Sequence, residues 1–507
     1  MKKYIALLAV SLAAIVALGF LVSDVNAKEE ERQKINAGRQ INIENPAQTS
    51  QWRRYFPRQF DGWKKTKESD KVADMIKKWP ALAIVWAGYP FSKDYNAPRG
   101  HYYSVMDNIN TLRVGAPSET VDSPLPTACW TCKSPDVVRL METKGDLEFY
   151  SGQWNKWGDE VVNAIGCYDC HTADTRELKM GRAYVNNGLR AAGMPTFEDS
   201  THQNKRDLVC AQCHSEYYFR PTPNGDKTAR VVTLPWKNGL GAEEQMSYYN
   251  DGKNFPDGKP FKDFENKLSK TPIVKAQHPD YELHLTGIHG KKGVSCADCH
   301  MPYKQEGATK YSDHQIQSPL DTMDRSCMPC HRESETKLKS ILEEKYQRKE
   351  TLFGLAVNNL AAAHLEAQKA WESGASEAEM AKALNLIREG QWRWDYASAS
   401  HGGFFHAPDE TLFVFAKAND YALQARAVLR EILVKRGVKD YVVPDFSSKA
   451  KAQKLAGWDM EALISDKQKF KDETVPVWIE RAKAQGLLDE NIRDYKDDSA
   501  SWFGKSE

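Results

Sequence analysis

Five cysteine pairs in this 507-residue chain share one spacing, two residues between the thiols, and together they use all ten cysteines. Four end in histidine: Cys167/Cys170/His171, Cys210/Cys213/His214, Cys296/Cys299/His300 and Cys327/Cys330/His331. In the remaining pair, Cys129/Cys132, the position after the second thiol is Lys133. The same spacing serves disulfides, zinc knuckles and redox pairs, but those uses place no demand on the following residue. Attachment of a c-type haem does: two thiols bond to the porphyrin edge and the next residue becomes an axial ligand of the iron. Histidine at that place in four of five pairs therefore points to five covalently bound haems, of which the Lys133 haem is the exception.

An iron with histidine on both faces has no place for a substrate and can only pass electrons. The chain has 13 histidines; beyond the four motif residues stand His101, His202, His278, His284, His289, His314, His364, His401 and His406, enough to fill the second face of four haems. Lys133 differs in kind. An amine ligates only when neutral, a state that burial and the metal both favour. If the opposite face of that iron is open, it is the catalytic one, by the logic that separates open metal sites from closed ones. The competing reading, a remote histidine with Lys133 as a bystander, is opposed by position, since 133 is where the other motifs carry their ligand.

The elements that must hold these groups read as follows. Residues 1–27 carry Lys2 and Lys3, an apolar run from Ile5 to Val22 and a small-residue end at Val25, Asn26 and Ala27, the pattern of a cleavable signal peptide; a retained membrane anchor is the alternative. Export suits haem attachment, which takes place outside the cytoplasm. Seventy basic against 69 acidic side chains give a net charge of +1, so nothing predicts nucleic-acid binding. From Lys28 to Pro126 the chain is rich in aromatic residues expected to pack core and haem edges (Trp52, Trp63, Trp79, Trp86, Tyr89, Tyr95, Tyr102 and Tyr103 among them), with a helix expected over Ser69–Trp79. The haem-binding stretch, Cys129 to His331, is irregularly spaced, with loops expected at Pro221–Gly225 and Asn254–Gly258 and a turn of helix under each motif.

Beyond His331 the pattern is helical: one long helix over Thr336–Glu372, a second over Glu377–Tyr396 started by the capping box Ser376 and Glu379, and a third from Pro408 to Lys435 stopped by Gly437. Shorter helices are expected at Ser448–Leu455 and Val477–Gln485. The expected fold is mainly α, a multihaem cytochrome c with long loops, little β structure and a C-terminal bundle of long helices. It divides into a signal peptide (1–27), a pentahaem catalytic region (28–335) and a helical region (336–507) whose first helix is long enough to serve as a dimer interface.

On these motifs the sequence resembles the pentahaem cytochrome c nitrite reductases, the periplasmic ammonia-forming enzymes. The likeness extends to Thr111-Leu112-Arg113, to Ser215-Glu216-Tyr217 after the third motif, and to Lys275-Ala276-Gln277-His278. It implies six-electron reduction of nitrite to ammonium at the Lys133 haem, with Arg113, Tyr217 and His278 around the open face. It further implies a calcium ion held by the Glu216 carboxylate, the carbonyls of Tyr217 and Lys275 and the Gln277 side chain. For the distal ligands it implies His314 on the Cys167 haem, His101 on the Cys210 haem, His406 (or its neighbour His401) on the Cys296 haem and His289 on the Cys327 haem, leaving His202, His284 and His364 as structural or surface residues. A homodimer in the periplasm, supplied with electrons by a membrane-bound multihaem quinol dehydrogenase, is also implied. Two other readings are a multihaem electron carrier without a catalytic site and a hydroxylamine-type oxidoreductase.

Overall fold

The computed structural model describes residues 41–307 and 309–491, together with Tyr4, 11–12, 14–24 and 26–27 of the leader. Most of the expected cleavage region, Val25 and the stretch from Lys28, lies outside the described residues. The chain divides into two units: residues 1–44 with 172–177, and residues 45–171 with 178–507. In the first, residues 14–24 are helical and exposed, and Thr172 closes a short loop by donating its N–H to Glu177 O (2.9 Å). Among the described residues no helix is long and apolar enough to cross a membrane.

The second unit is mainly α. Three long helices, Glu335–Glu372, Glu377–Ala399 and Pro408–Lys435, lie where the sequence puts them. Ser334 caps the first by accepting from Lys337 N, Ser376 and Glu379 form the expected box on the second, and Pro408 stands at the start of the third. Gly374 and Gly437 follow the first and third with φ of 82° and 83°, the left-handed conformation that ends a helix most cheaply in glycine. The strands form three two-stranded antiparallel sheets.

The bundle does not pack on itself alone. Trp394 of the second helix lies 5.8 Å from Trp86 and 5.2 Å from Phe353, so the long helices share a core with the fully buried helix Ala81–Val85 and with Tyr218, Tyr249 and Ile273 of the haem-binding stretch. Gly354 allows this approach: a Cβ there would meet the Trp79 ring at 2.9 Å. A second core, around Trp130, Trp154, Phe149, Tyr150 and Trp236, underlies the first motif.

Several local expectations are corrected. The helix expected over Ser69–Trp79 is only Met75–Lys78, capped by Asp74, because the preceding residues spend their backbone groups on residues 95–100: Met75 N donates to Tyr95 O (2.8 Å), Ala97 N to Ala73 O (2.9 Å) and Gly100 N to Ser69 O (3.2 Å). Pro221–Gly225 is not an open loop. It ends the strand Tyr218–Asn224, which pairs with Lys227–Thr233 through a tight turn at Gly225; with only two strands, Pro221 and Pro223 can leave the side without a partner strand bare of N–H donors. A helix at Met460–Lys469, capped by Asp459, was not foreseen. Nor does every motif sit on its own turn of α-helix. Cys167–Cys170 and Cys296–His300 do, because Asp169 and Asp298 accept from the N–H of Gly166 (2.9 Å) and Ser295 (2.8 Å) and so cap the turn. Cys129 lies in a 3-10 turn, Thr127–Trp130, while Cys210 ends a longer helix and Cys327 follows a short one.

Candidate catalytic site around Lys133

Lys133 follows a buried anchor. The Trp130 ring stacks on Trp154 (4.5 Å between centroids) and donates Nε1–H to Trp154 O (2.9 Å). The chain then turns, with Lys133 N donating to Trp130 O (2.9 Å), and enters the helix Pro135–Lys144 through Ser134, whose hydroxyl accepts from Asp136 N. Ser104, first residue of the helix Ser104–Asn110, donates its hydroxyl to Lys133 O (2.7 Å). That helix leads directly into the short turn Leu112–Val114, which carries Arg113.

Arg113 is anchored on one side only. Its Nε donates to Thr111 Oγ1 (2.9 Å) and lies 3.8 Å from Asp94 Oδ1, and the guanidinium sits 4.4 Å above the Phe91 ring. Asp94 in turn accepts from the Thr111 hydroxyl (2.6 Å) and Leu112 N (2.8 Å), so one buried carboxylate sets the whole turn. The terminal guanidinium nitrogens have no partner among the described residues, which leaves them to an incoming anion. Arg113 and Lys133 both act electrostatically on the Cys129 thiol, and Cys129 and Cys132 both act on the Tyr217 hydroxyl. Burial, then these neighbours, raises the Tyr217 pKa well above that of an ordinary phenol, so it stays a hydrogen-bond donor. His278 is held well below the usual imidazole range by burial and by the charges of Lys133 and His214, with Asp280 pulling the other way. The structure thus gathers Lys133, Arg113, Tyr217 and His278 at the Cys129/Cys132 motif.

Beside them lies the oxygen-rich set expected to hold calcium. Glu216 is fully buried, its carboxylate accepting from Gln277 N (2.5 Å) and the Tyr249 hydroxyl (3.1 Å), and the Gln277 amide donates to Lys275 O (2.9 Å). These bonds tie segment 216–217 to segment 275–277. The Lys275 ammonium is turned to Asp395 (3.2 Å) in a fully buried pair, leaving its carbonyl as the group it contributes here. Burial and nearby Glu282 push the Glu216 pKa well above the carboxylate range, which marks a buried charge the protein alone compensates poorly. A hard divalent cation among carboxylate, carbonyl and amide oxygens would supply that compensation, so the residues fit calcium. Glu216→Gln is expected to lower calcium content and, with it, nitrite turnover; metal analysis of the purified protein alongside activity checks this.

The haem sites can be tested in the same way. A metal held by two imidazole nitrogens at about 2 Å on opposite sides keeps the ring centroids about 6 Å apart. His171 and His314 are 6.3 Å apart, His289 and His331 6.1 Å, and His300 and His406 6.3 Å. His214 is the leading charge acting on His101, whose pKa burial and that neighbour bring down to about 4. All ten thiols are free, and Nδ1 of His289 and of His406 are buried without a hydrogen-bond partner. Spacing, free thiols and orphaned polar atoms fit porphyrins with two histidine ligands. Neighbouring motifs also lie near one another: Cys132 and Cys213 act on each other's thiols, as do Cys210 and Cys296. His401 acts on His278, and its Nε2 is likewise buried without a hydrogen-bond partner. His284 is engaged with Val294 O (2.9 Å), His364 with Ser269 Oγ and Gln391 Oε1 (both 2.7 Å), and His202 is exposed.

One attachment residue departs from expectation. A thiol bonded to an apolar porphyrin edge is expected inside the protein, and nine of the ten cysteines are partly buried; Cys330 is instead exposed. The reason is its place in the chain. Cys330 stands after the short helix Met323–Ser326 and before the long helix that begins at Glu335, where Pro329 and residues 332–337 are all exposed, so no second layer of structure covers it. Its backbone still closes the motif: Cys330 N and His331 N both donate to Cys327 O (3.1 and 3.0 Å). Cys327, Cys330 and His331 therefore share one turn as attachment requires, with Cys327 and His331 partly buried and Cys330 exposed.

Four acidic residues escaped the sequence reading: Asp94 behind Arg113, Asp395 on Lys275, Glu282 on Glu216 N (2.9 Å), and Asp280, 3.6 Å from His214 Nδ1 and 3.8 Å from His406 Nδ1. Only Asp280 carried a signal, its place two residues after His278; the others are isolated carboxylates whose neighbours come from distant segments.

Comparison with known proteins shows the family and the fold. The cytochrome c552 family pattern matches residues 48–490. Cytochrome c-552 of Desulfotalea psychrophila is 50% identical over 507 residues, covering 99% of this chain and 98% of that one. Cytochrome c-552 of Maridesulfovibrio salexigens is 51% identical over 497 residues, 97% of each chain. Among solved structures, the catalytic subunit of the cytochrome c nitrite reductase from Desulfovibrio desulfuricans, described for its two calcium sites, superposes with a TM-score of 0.72 at 29% identity over 87% of this chain and 96% of that one. With motifs, fold and relatives in accord along nearly its whole length, the chain belongs to the cytochrome c552 family.

Proposed function

We infer that this protein is an ammonia-forming cytochrome c nitrite reductase that carries five c-type haems and calcium. The observation that carries the reading is the lone Lys133 motif with Arg113, Tyr217 and His278 converging on it, in a chain with relatives of this kind. When bound, the haems would supply electrons and an iron at which nitrite is reduced; Cys129, Cys132 and Lys133 would hold that haem, and the pairs His171/His314, His214/His101, His300/His406 and His331/His289 would hold the other four. Arg113, permanently charged and with its terminal nitrogens free, holds the nitrite anion and favours departure of its oxygens as water. Tyr217 donates a hydrogen bond to the bound anion. His278, neutral at rest, accepts and passes on protons at the same face. Glu216, Gln277 and the carbonyls of Tyr217 and Lys275 would hold calcium, whose charge would favour anions in the cavity beside Tyr217.

Tyr217→Phe is expected to reduce nitrite turnover about tenfold or more with haem content unchanged, since it removes one donor aimed at the reacting group. Equal turnover in a steady-state assay would take Tyr217 out of the mechanism. The reading as a whole is tested by adding cyanide or nitrite to the oxidised protein. Loss of a high-spin haem signal is expected; an unchanged spectrum would leave a pure electron carrier. Ammonium produced from nitrite with a reduced viologen separates this activity from a hydroxylamine oxidase.

The protein works in the periplasm as a homodimer and takes electrons from a membrane-bound multihaem quinol dehydrogenase. The leader supports export. Leu355, Phe413, Leu423 and Val434, exposed apolar residues on two of the long helices, support a partner on that face.

A further inference from the structure

A lysine ligand asks more of its backbone than a histidine does, because its long flexible stem does little to aim the nitrogen. The turn that carries Lys133 lies between the 3-10 turn Thr127–Trp130 and the helix Pro135–Lys144, and its carbonyls are clamped from the side. Arg182, fully buried, donates Nε–H to Thr131 O (2.7 Å) and Nη2–H to Ser134 O (3.2 Å), bracketing Lys133. The same Nη2 pairs with Asp169 Oδ1 at 2.7 Å, both side chains being out of solvent. Asp169 is not a free carboxylate. Its other oxygen accepts from Gly166 N (2.9 Å), and its carbonyl accepts from the Gln212 amide (3.2 Å). Gln212 Oε1 then accepts from Gly181 N (3.0 Å), next to Arg182 itself, and Gln212 O accepts from the Tyr184 hydroxyl.

The residues joined here hold equivalent places. Thr131, Asp169 and Gln212 each stand immediately before the second cysteine of the first three motifs. One guanidinium thus ties the Lys133 turn to the Cys167 motif directly and to the Cys210 motif through Asp169, by planar, charge-assisted bonds that a lysine at 182 could not reproduce. Breaking such a network leaves a buried charge unpaired, which is strongly unfavourable.

We propose that Arg182 is a positioning residue for the lysine-ligated haem: it holds the Lys133 backbone at ligating distance and locks that turn to the second and third haem motifs through Asp169 and Gln212. This rests on Lys133 being an axial ligand, which the unsubstituted holoprotein tests by itself; if its spectrum shows no lysine-ligated, open haem, that reading fails before any variant is made.

Arg182→Gln, Arg182→Lys and Asp169→Asn are compared with the unsubstituted holoprotein by haem content, electron paramagnetic resonance and nitrite kinetics. Arg182→Gln is expected to keep five haems, to shift or lose the high-spin signal of the open haem while the low-spin signals of the others persist, and to lower kcat about tenfold with KM little changed, in the range seen when supporting partners of a metal ligand are removed. Asp169→Asn is expected to show the same signature more weakly, and Arg182→Lys to rescue it only in part. A product of Arg182→Gln lacking the first haem alone also supports the proposal. An unaltered high-spin signal and kcat in the five-haem Arg182→Gln protein overturns it, as does indiscriminate loss of all haems from every variant, which would make Arg182 a general folding residue.

Discussion

Lys133→His is expected to leave five haems attached and to lower nitrite turnover about tenfold or more, roughly 1.4 kcal/mol on the barrier. Attachment depends on Cys129 and Cys132, which the substitution does not touch. The turn around residue 133, however, is set by Trp130 stacked on Trp154 and by Ser104 holding Lys133 O at 2.7 Å, and imidazole reaches less far than the lysine stem. Histidine there must either pull the backbone inward against those bonds or ligate poorly. Where it does ligate, it makes the first haem more like its four neighbours and alters the electron density offered to the opposite face. Haem content by pyridine haemochrome, with viologen-driven nitrite turnover, checks both halves. Full turnover in the His variant would mean that the vacancy opposite, and not the identity of the ligand, is what makes this haem catalytic.

For Arg113→Gln the expected result is a roughly hundredfold fall in kcat/KM for nitrite, near 2.7 kcal/mol, shared between a higher KM and a lower kcat. The guanidinium is fixed through Nε by Thr111 (2.9 Å) and presses on Phe91, so its terminal nitrogens are preorganised and cost little to bring to an anion. Glutamine keeps a donor but loses the charge and the fork. Asp94 retains Thr111 and Leu112 N as partners in the variant, so the turn persists and the loss is read as lost anion binding. Retained haem spectra with kcat/KM within threefold of the unsubstituted protein would place the anion elsewhere.

Much of this molecule is legible in one dimension because covalent attachment writes its requirements as spacing. A haem bound through two thiols and the next side chain needs those residues within five positions, and so the five sites, and the odd one, stand in the sequence without reference to folding. Spacing does not record depth, however: Cys330 satisfies the motif as the other thiols do, yet lies exposed because the chain on either side of it runs over the surface. The long C-terminal helices are legible for a different reason: their caps are local, as Ser376 with Glu379 and Gly374 with Gly437 illustrate. What misled was segments whose backbone bonds are made at a distance. Ser69–Ala73 carries ordinary helix-compatible residues but pairs with residues 95–100, and Pro221 and Pro223 lie in a strand because it has one partner strand only, so that its other side needs no N–H donors.

The sequence by itself determined how many attachment motifs there are, which cysteines compose them and which ends in lysine, since these depend on residues next to one another in the chain. Tertiary structure alone decided what surrounds that lysine. Arg113 acquires its direction from Asp94, Glu216 its neighbours from Gln277 and Glu282, and the Lys133 turn its clamp from Arg182 and Asp169. A buried charge or carbonyl is satisfied by whichever group packing brings within about 3 Å, and nothing in sequence spacing records that choice.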